Sequence, residues 1–348
     1  MAYTTINKHT DHFNTKLYTG NGGTNAITGV GFQPDLVWIK DRDATGYHFW
    51  TDAVRGVTKT LFSNAADATS TEATGLTAFG TDGFTVGSHS NINTSGRNIA
   101  SWNWKAGTGA GSSNTDGSIN TTYTSVNTTA GFSIVSWTGT GSAGTIGHGL
   151  GVKPAMIISK NRDEAQNWFC YHTGLGATKY IRLNLTNTSG TSSAIWNDTE
   201  PTTSLFSVGN DTAVNGSSDE MIAYCFAEKK GYSKFGSYKG NGNADGPFVY
   251  LGFKPALVII KGAVSGDGNA GQNWELYDNK RDGYNGFNDA LFPNTTAAES
   301  VEDRVDLLSN GFKIRVNSDG VNDNNSTYIY MAFGQSLVGS NNVPCTAR

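Results

Sequence analysis

The side chains that could do chemistry are few and scattered. His9 and His12 flank Asp11, which is half of the roughly four-ligand set that a closed metal site needs. They precede the first strand-like segment, so a solvated N-terminal arm is the simpler reading. The remaining histidines, His48, His89, His148 and His172, share no common spacing. Asp319–Asn325 offers calcium-type oxygen ligands without the EF-hand spacing or its closing glutamate, and reads as a hairpin tip. Asp41-Arg42-Asp43 and Asn161-Arg162-Asp163 pair acidic and basic groups, but the third equivalent place holds Gly262-Ala263-Val264. No nucleophile elbow, zinc-protease helix or phosphate loop occurs, and the Gly20–Gly23 turn lacks the helix that would supply a phosphate-binding dipole. Cys170, Cys225 and Cys345 have no metal-ligand spacing and cannot all pair within one chain. The sequence therefore nominates no catalytic residue, no cofactor and no metal. Stacked aromatics can hold sugars, and there are eight tryptophans. Trp38, Trp102, Trp104, Trp168 and Trp274 fall at core-type strand positions. Trp196, in Ala194–Asp198, has no counterpart and is the candidate exposed aromatic, although packing is the expected fate even there.

The elements that must position these groups repeat. Gly31–Lys40 returns as Gly151–Lys160 and again as Gly252–Lys261: glycine, an apolar residue, a polar one, proline, then an apolar run closed by lysine. Proline is tolerated at a strand entry, and the run behind it reads as a fully buried strand. Ahead of each copy lies an aromatic strand and a glycine turn: Phe13 to Tyr18, Phe132 to Trp137, Phe235 to Tyr238. Each unit closes on a strand carrying Trp102/Trp104, Tyr224/Phe226 or Met331/Phe333, spaced by two and hence on one face. The cysteines fall where other copies have Asn103 and Ala332, or Trp50 and Leu276, so they read as packing residues.

Composition agrees. Gly is abundant at 44 residues, and Ser, Thr and Asn outnumber helix formers. The expected fold is all-β: three tandem antiparallel β-sandwich domains, jelly-roll or lectin-like in style. The expected division is an N-terminal arm (1–12), repeat 1 (13–107), a Gly/Ser/Thr/Asn-rich linker or strap (108–131), repeat 2 (132–231), repeat 3 (232–336) and a C-terminal tail (337–348). A net charge of −4 argues against a dedicated nucleic-acid binder. No apolar run reaches the roughly 20 residues that span a bilayer, and the first residues lack a secretory h-region.

The chain resembles a family of repetitive virion structural proteins of tailed phages, especially marine and cyanobacterial ones. The stretches that carry the likeness are Gly29–Arg42, Phe49–Gly56, Ala100–Lys105, Ala223–Gly231 and the ending Val338–Arg348. The resemblance implies a virion location, after assembly in the host cytoplasm, and no enzymatic activity. The expected function is a tail-associated fibre or receptor-binding subunit that contacts host carbohydrate. The alternative is a capsid decoration or cement protein, with a glycan-degrading appendage enzyme a distant third. Expected partners are other virion proteins and further copies of the chain, a trimer among the options, with neither nucleic acid nor membrane insertion. No heptad or collagen-like stretch specifies the oligomer. The polar tail is the expected assembly element, through Leu337, Val338, Pro344 and Arg348.

Overall fold

In a computed structural model of the chain, which describes residues 4–266, 271–281, 285 and 288–338, the glycine of each proline motif has a positive φ. The angles are 95° at Gly31, 70° at Gly151 and 81° at Gly252. A side chain is strained in that region, which is why glycine recurs there. The turn delivers the chain into a buried strand: Leu36–Asp41, Met156–Asn161 and, in the third repeat, the longer Phe253–Val264.

Each of these strands pairs antiparallel with the closing strand of its repeat in one register. Leu36 faces Trp104, Met156 faces Phe226 and Leu257 faces Phe333. The large sheet of repeat 1 runs in the order Phe13–Thr19, Asn98–Trp104, Leu36–Asp41, Phe49–Asp52, Lys59–Phe62, Ser70–Thr71. Repeats 2 and 3 keep its first four places. A smaller sheet covers the outer face of each: Asn25–Thr28, Gly83–Val86 and Leu76–Gly80 in repeat 1, for example. The chain is all-β, with three one-turn α-helices and one 3-10 turn, His9–Asp11, among the described residues. One alignment shifts. Phe13 and Phe132 face Trp104 and Phe226, but Ser233 takes that place in repeat 3, and Phe235 faces Met331. A two-residue slip preserves the face, so Phe235 still packs inward.

What covers the two faces differs from the expectation of three separate cores. Val37 and Ile39 point outward to Ile27, Phe84 and Val86 of the small sheet, and repeats 2 and 3 repeat this. The other faces of all three large sheets meet in one common core, to which Trp38, Trp102, Ile158, Tyr224, Ile259 and Met331 all contribute. At its centre the equivalent residues Trp104, Phe226 and Phe333 touch one another, with ring centroids 6.2, 5.8 and 5.8 Å apart. With both faces covered, the strands read as continuous apolar runs instead of alternating ones.

The seams between repeats follow the same cyclic rule. Thr69 N–H donates to Arg162 C=O (2.8 Å), Ser189 to Ala263 (2.9 Å) and Glu299 to Arg42 (2.8 Å), so the third repeat closes back on the first. The Trp168 indole donates to Phe62 C=O and that of Trp274 to Arg182 C=O, both at 2.9 Å. The lysines that close the motif are fully buried, their ammonium groups donating to carbonyls such as Asp41, Asn161 and Thr186. Burial pulls Lys40 down to about 8, and Lys160 and Lys261 to about 7.

Of the two connecting segments, one departs from expectation and the other takes one of its two expected forms. The arm is only partly solvated: Lys8 and Asp11 are exposed, but Ile6 is 3% exposed and lies in the common core, and Gln335 accepts from His9 N–H at 2.9 Å. An apolar residue in the arm can cap the open end of the shared core, which three separate sandwiches would not offer. The 108–131 segment is a strap, with Thr121–Asn127 an edge strand of the repeat 2 sheet. Its start is held by Asp35, whose carboxylate accepts from the N–H groups of Ala106, Thr108 and Gly109.

Candidate functional site

Most residues singled out from the sequence are structural. All eight tryptophans are buried, and Trp196 is only 2% exposed. The candidate exposed aromatic is thus a core residue: a one-turn helix, Ser193–Trp196, turns its ring onto Tyr171 in the outer core of repeat 2. Cys170 and Cys225 are buried free thiols, their pKa values raised by burial, while Cys345 lies outside the described residues. Asp43 and Asp163 accept from the Asn98 and Glu220 N–H groups, so both charged turns serve local structure. In the Asp319–Asn325 hairpin, Ser326 donates to Asp323, and Asn322 is buried against the Asn241–Asn243 turn. Among the described residues no three His, Cys, Asp or Glu side chains are grouped to hold a metal. Of the tail residues, Leu337 and Val338 line an apolar cleft, and Pro344 and Arg348 lie outside the described residues.

The site that sequence reasoning missed is in repeat 3. Strand Trp274–Asp278 places Glu275 where the other repeats carry Phe49 and Phe169, opposite Ile260, Ile39 and Ser159 respectively. Glu275 is 1% exposed. Its two carboxylate oxygens accept from Tyr277 O–H and Arg304, both at 2.5 Å. Arg304 also pairs with Glu302 at 2.6 Å, so one guanidinium bridges two carboxylates. Burial raises the Glu275 pKa against the opposing pull of Arg304. Burial is the largest single influence and works against the charge of Arg304, but Glu275, Tyr277 and Glu302 together carry the net shift upward. Above this group opens a polar cleft of about 440 Å³, walled also by Gln272, Asn273, Phe292 and Asp319. Gly320 forms part of its wall, and a Cβ there would stand 2.0 Å from Glu275 Oε1. Glycine at that point leaves the carboxylate its room. The signal was present in the sequence, as a charged residue in an aromatic place of the repeat.

Donors and acceptors both face the cleft, the mixture that recognises hydroxylated ligands. Over residues 8–336 the chain matches the family described as a domain of unknown function (DUF7483). The chain belongs to that family. No curated protein and no solved structure is significantly similar to it. This DUF7483 chain thus combines a cyclic three-repeat body with one cleft in which a repeat breaks its own pattern.

Proposed function

We propose that the protein is a non-enzymatic structural component of a tailed-phage particle, a tail-associated subunit that contacts carbohydrate on the host surface. The observation that carries this reading is the repeat 3 cleft, a ligand-sized polar hollow set beside a shared, closely packed core. The cyclic seams make that body a rigid platform, and many copies on one particle would multiply weak single contacts. Binding is favoured over catalysis because Arg304 ties up both Glu275 and Glu302, leaving no carboxylate pair free for acid and base work. No helix among the described residues is long and apolar enough to cross a membrane. The partners proposed are other virion proteins and further copies of the chain.

A second reading, capsid decoration, draws on the cyclic pattern itself, since a body of three like repeats fits a three-fold position on a shell. Labelling intact particles with antibody against the chain, viewed by electron microscopy, separates the two: label at the tail supports host contact, and label spread over the head supports decoration. A glycan array run with the wild-type chain and Glu302→Gln tests the cleft. Saccharide binding lost in the variant is expected; a wild-type chain that binds none would overturn the carbohydrate reading.

A further inference from the structure

The cleft in repeat 3 has a filled counterpart in repeat 1. The carbonyls of His89, Asp211 and Ser318 each accept from the N–H groups three and four residues on, so these residues hold one place in the three repeats. Ser70 and Ser300, on matching short strands, donate to Glu72 and Glu302 at 2.5 and 3.2 Å, which makes those carboxylates equivalent too. In repeat 1 the His89 ring fills the space between them. It packs on Phe49, with ring centroids 4.8 Å apart, and its Nε2 lies 3.2 Å from a Glu72 oxygen. In repeat 3 the carboxylate is kept as Glu302, but Glu275 replaces Phe49 and Ser318 replaces His89. Exchanging an imidazole for a hydroxymethyl group opens the hollow. The chain itself thus shows what fits there: a ring-sized group with a nitrogen beside a carboxylate.

The charge of the cleft has the matching sign. Glu275, Glu302 and Asp319 line it from three separate segments, and Arg304 is the one basic side chain among its described lining residues. Both Arg304 contacts go to Glu275 and Glu302. Asp319, exposed beside Ser318, adds a negative charge that neither of those contacts meets. Phe292 supplies an apolar wall, the kind of face on which a sugar ring packs. A cleft of this balance attracts a cation and repels carboxylated or sulphated sugars.

We propose that the cleft selects a saccharide bearing a free amine, such as a glucosamine unit, with its ammonium beside Asp319 in the place that the His89 imidazole holds in repeat 1. This inference rests on the carbohydrate reading of the cleft and names its ligand class. An N-acetylated sugar lacks the charge, and an acidic sugar meets the carboxylates of Asp319 and Glu302 with like charge.

Titration of the full chain with glucosamine oligomers, their N-acetylated counterparts and uronic-acid oligomers tests it, in mildly acidic buffer that keeps the amine protonated. The amine-bearing oligomer should bind at least about tenfold more tightly than the other two. Asp319→Asn should lose most of that preference. Ser318→His, which restores the imidazole of repeat 1, should weaken binding at least about tenfold with the melting temperature unchanged. N-acetylated or acidic oligomers bound as tightly as the amine, or a preference unaltered in Asp319→Asn, would overturn the inference and leave the carbohydrate reading standing. Full binding by Ser318→His would do the same, by placing the ligand outside the hollow. Failure of every saccharide to bind would overturn that reading and this inference with it.

Discussion

Asp278 of the third repeat accepts the indole N–H of Trp102 of the first at 3.0 Å, while its own Arg281 donates to the same oxygen at 2.7 Å. The first repeat does the same to the second, with Asp52 accepting from Tyr224 O–H at 2.7 Å and from Arg55 at 2.6 Å. In the second repeat His172 takes the aspartate's place and meets Tyr330 C=O of the third at 3.0 Å. Each repeat thus hands one polar side chain to the closing strand of the next, beside the common core.

Asp278 and Arg281 are both almost fully buried, and removing one partner leaves an uncompensated charge. Asp278→Ala is expected to destabilise by about 3–5 kcal/mol. Urea unfolding followed by tryptophan fluorescence measures this, and a loss below about 1 kcal/mol would show that the pair is not what holds repeats 1 and 3 together.

Three fully buried asparagines, Asn93, Asn215 and Asn322, tie the glycine turn of each repeat to the loop before its closing strand. Asn215 donates to Ser142 C=O at 2.7 Å and accepts from Thr140 N–H at 3.0 Å. Asn215→Ala leaves several main-chain groups unpaired and should cost about 2–3 kcal/mol. The matching change at Asn93 should cost a similar amount, and unequal losses measured by thermal unfolding would argue against equivalent roles.

Acid should weaken the fold through its buried histidines. Burial lowers His172 to about 4, from an unfolded value of 6.5, and Tyr330 C=O only partly offsets it. Below pH 6.5 the unfolded chain binds a proton that the folded chain refuses, so stability falls as pH drops from 6.5 towards 4. The size is roughly 3 kcal/mol for His172. His48, held well below its usual value by burial, adds in the same direction. His172→Gln should flatten this limb of the stability–pH profile; an unchanged slope would mean that His172 does not resist protonation.

Gly320 tests the cleft without removing a charge. Gly320→Val places side-chain atoms over Glu275, so saccharide binding on an array should fall by at least about tenfold. A melting temperature close to wild type would show that the loss is local. Retained binding would move the ligand elsewhere.

The sequence determined the repeat, the strands behind each proline and the positive-φ glycines, because turn chemistry and short apolar runs are local properties. It also marked Trp102/Trp104 and their counterparts as one buried face. Tertiary structure alone decided what that face meets. A strand such as Leu36–Asp41, buried on both sides, does not say which face packs on its own small sheet and which on another repeat, and the contact of Trp104 with Phe226 and Phe333 joins residues more than a hundred positions apart. For the same reason the sequence left the 108–131 segment open between linker and strap and placed the arm in solvent: polar composition describes a segment, not the surface waiting to cover it. Glu275 stood out of pattern in the sequence, but only folding brought Tyr277, Arg304 and Glu302 around it, through side-chain contacts within the third repeat.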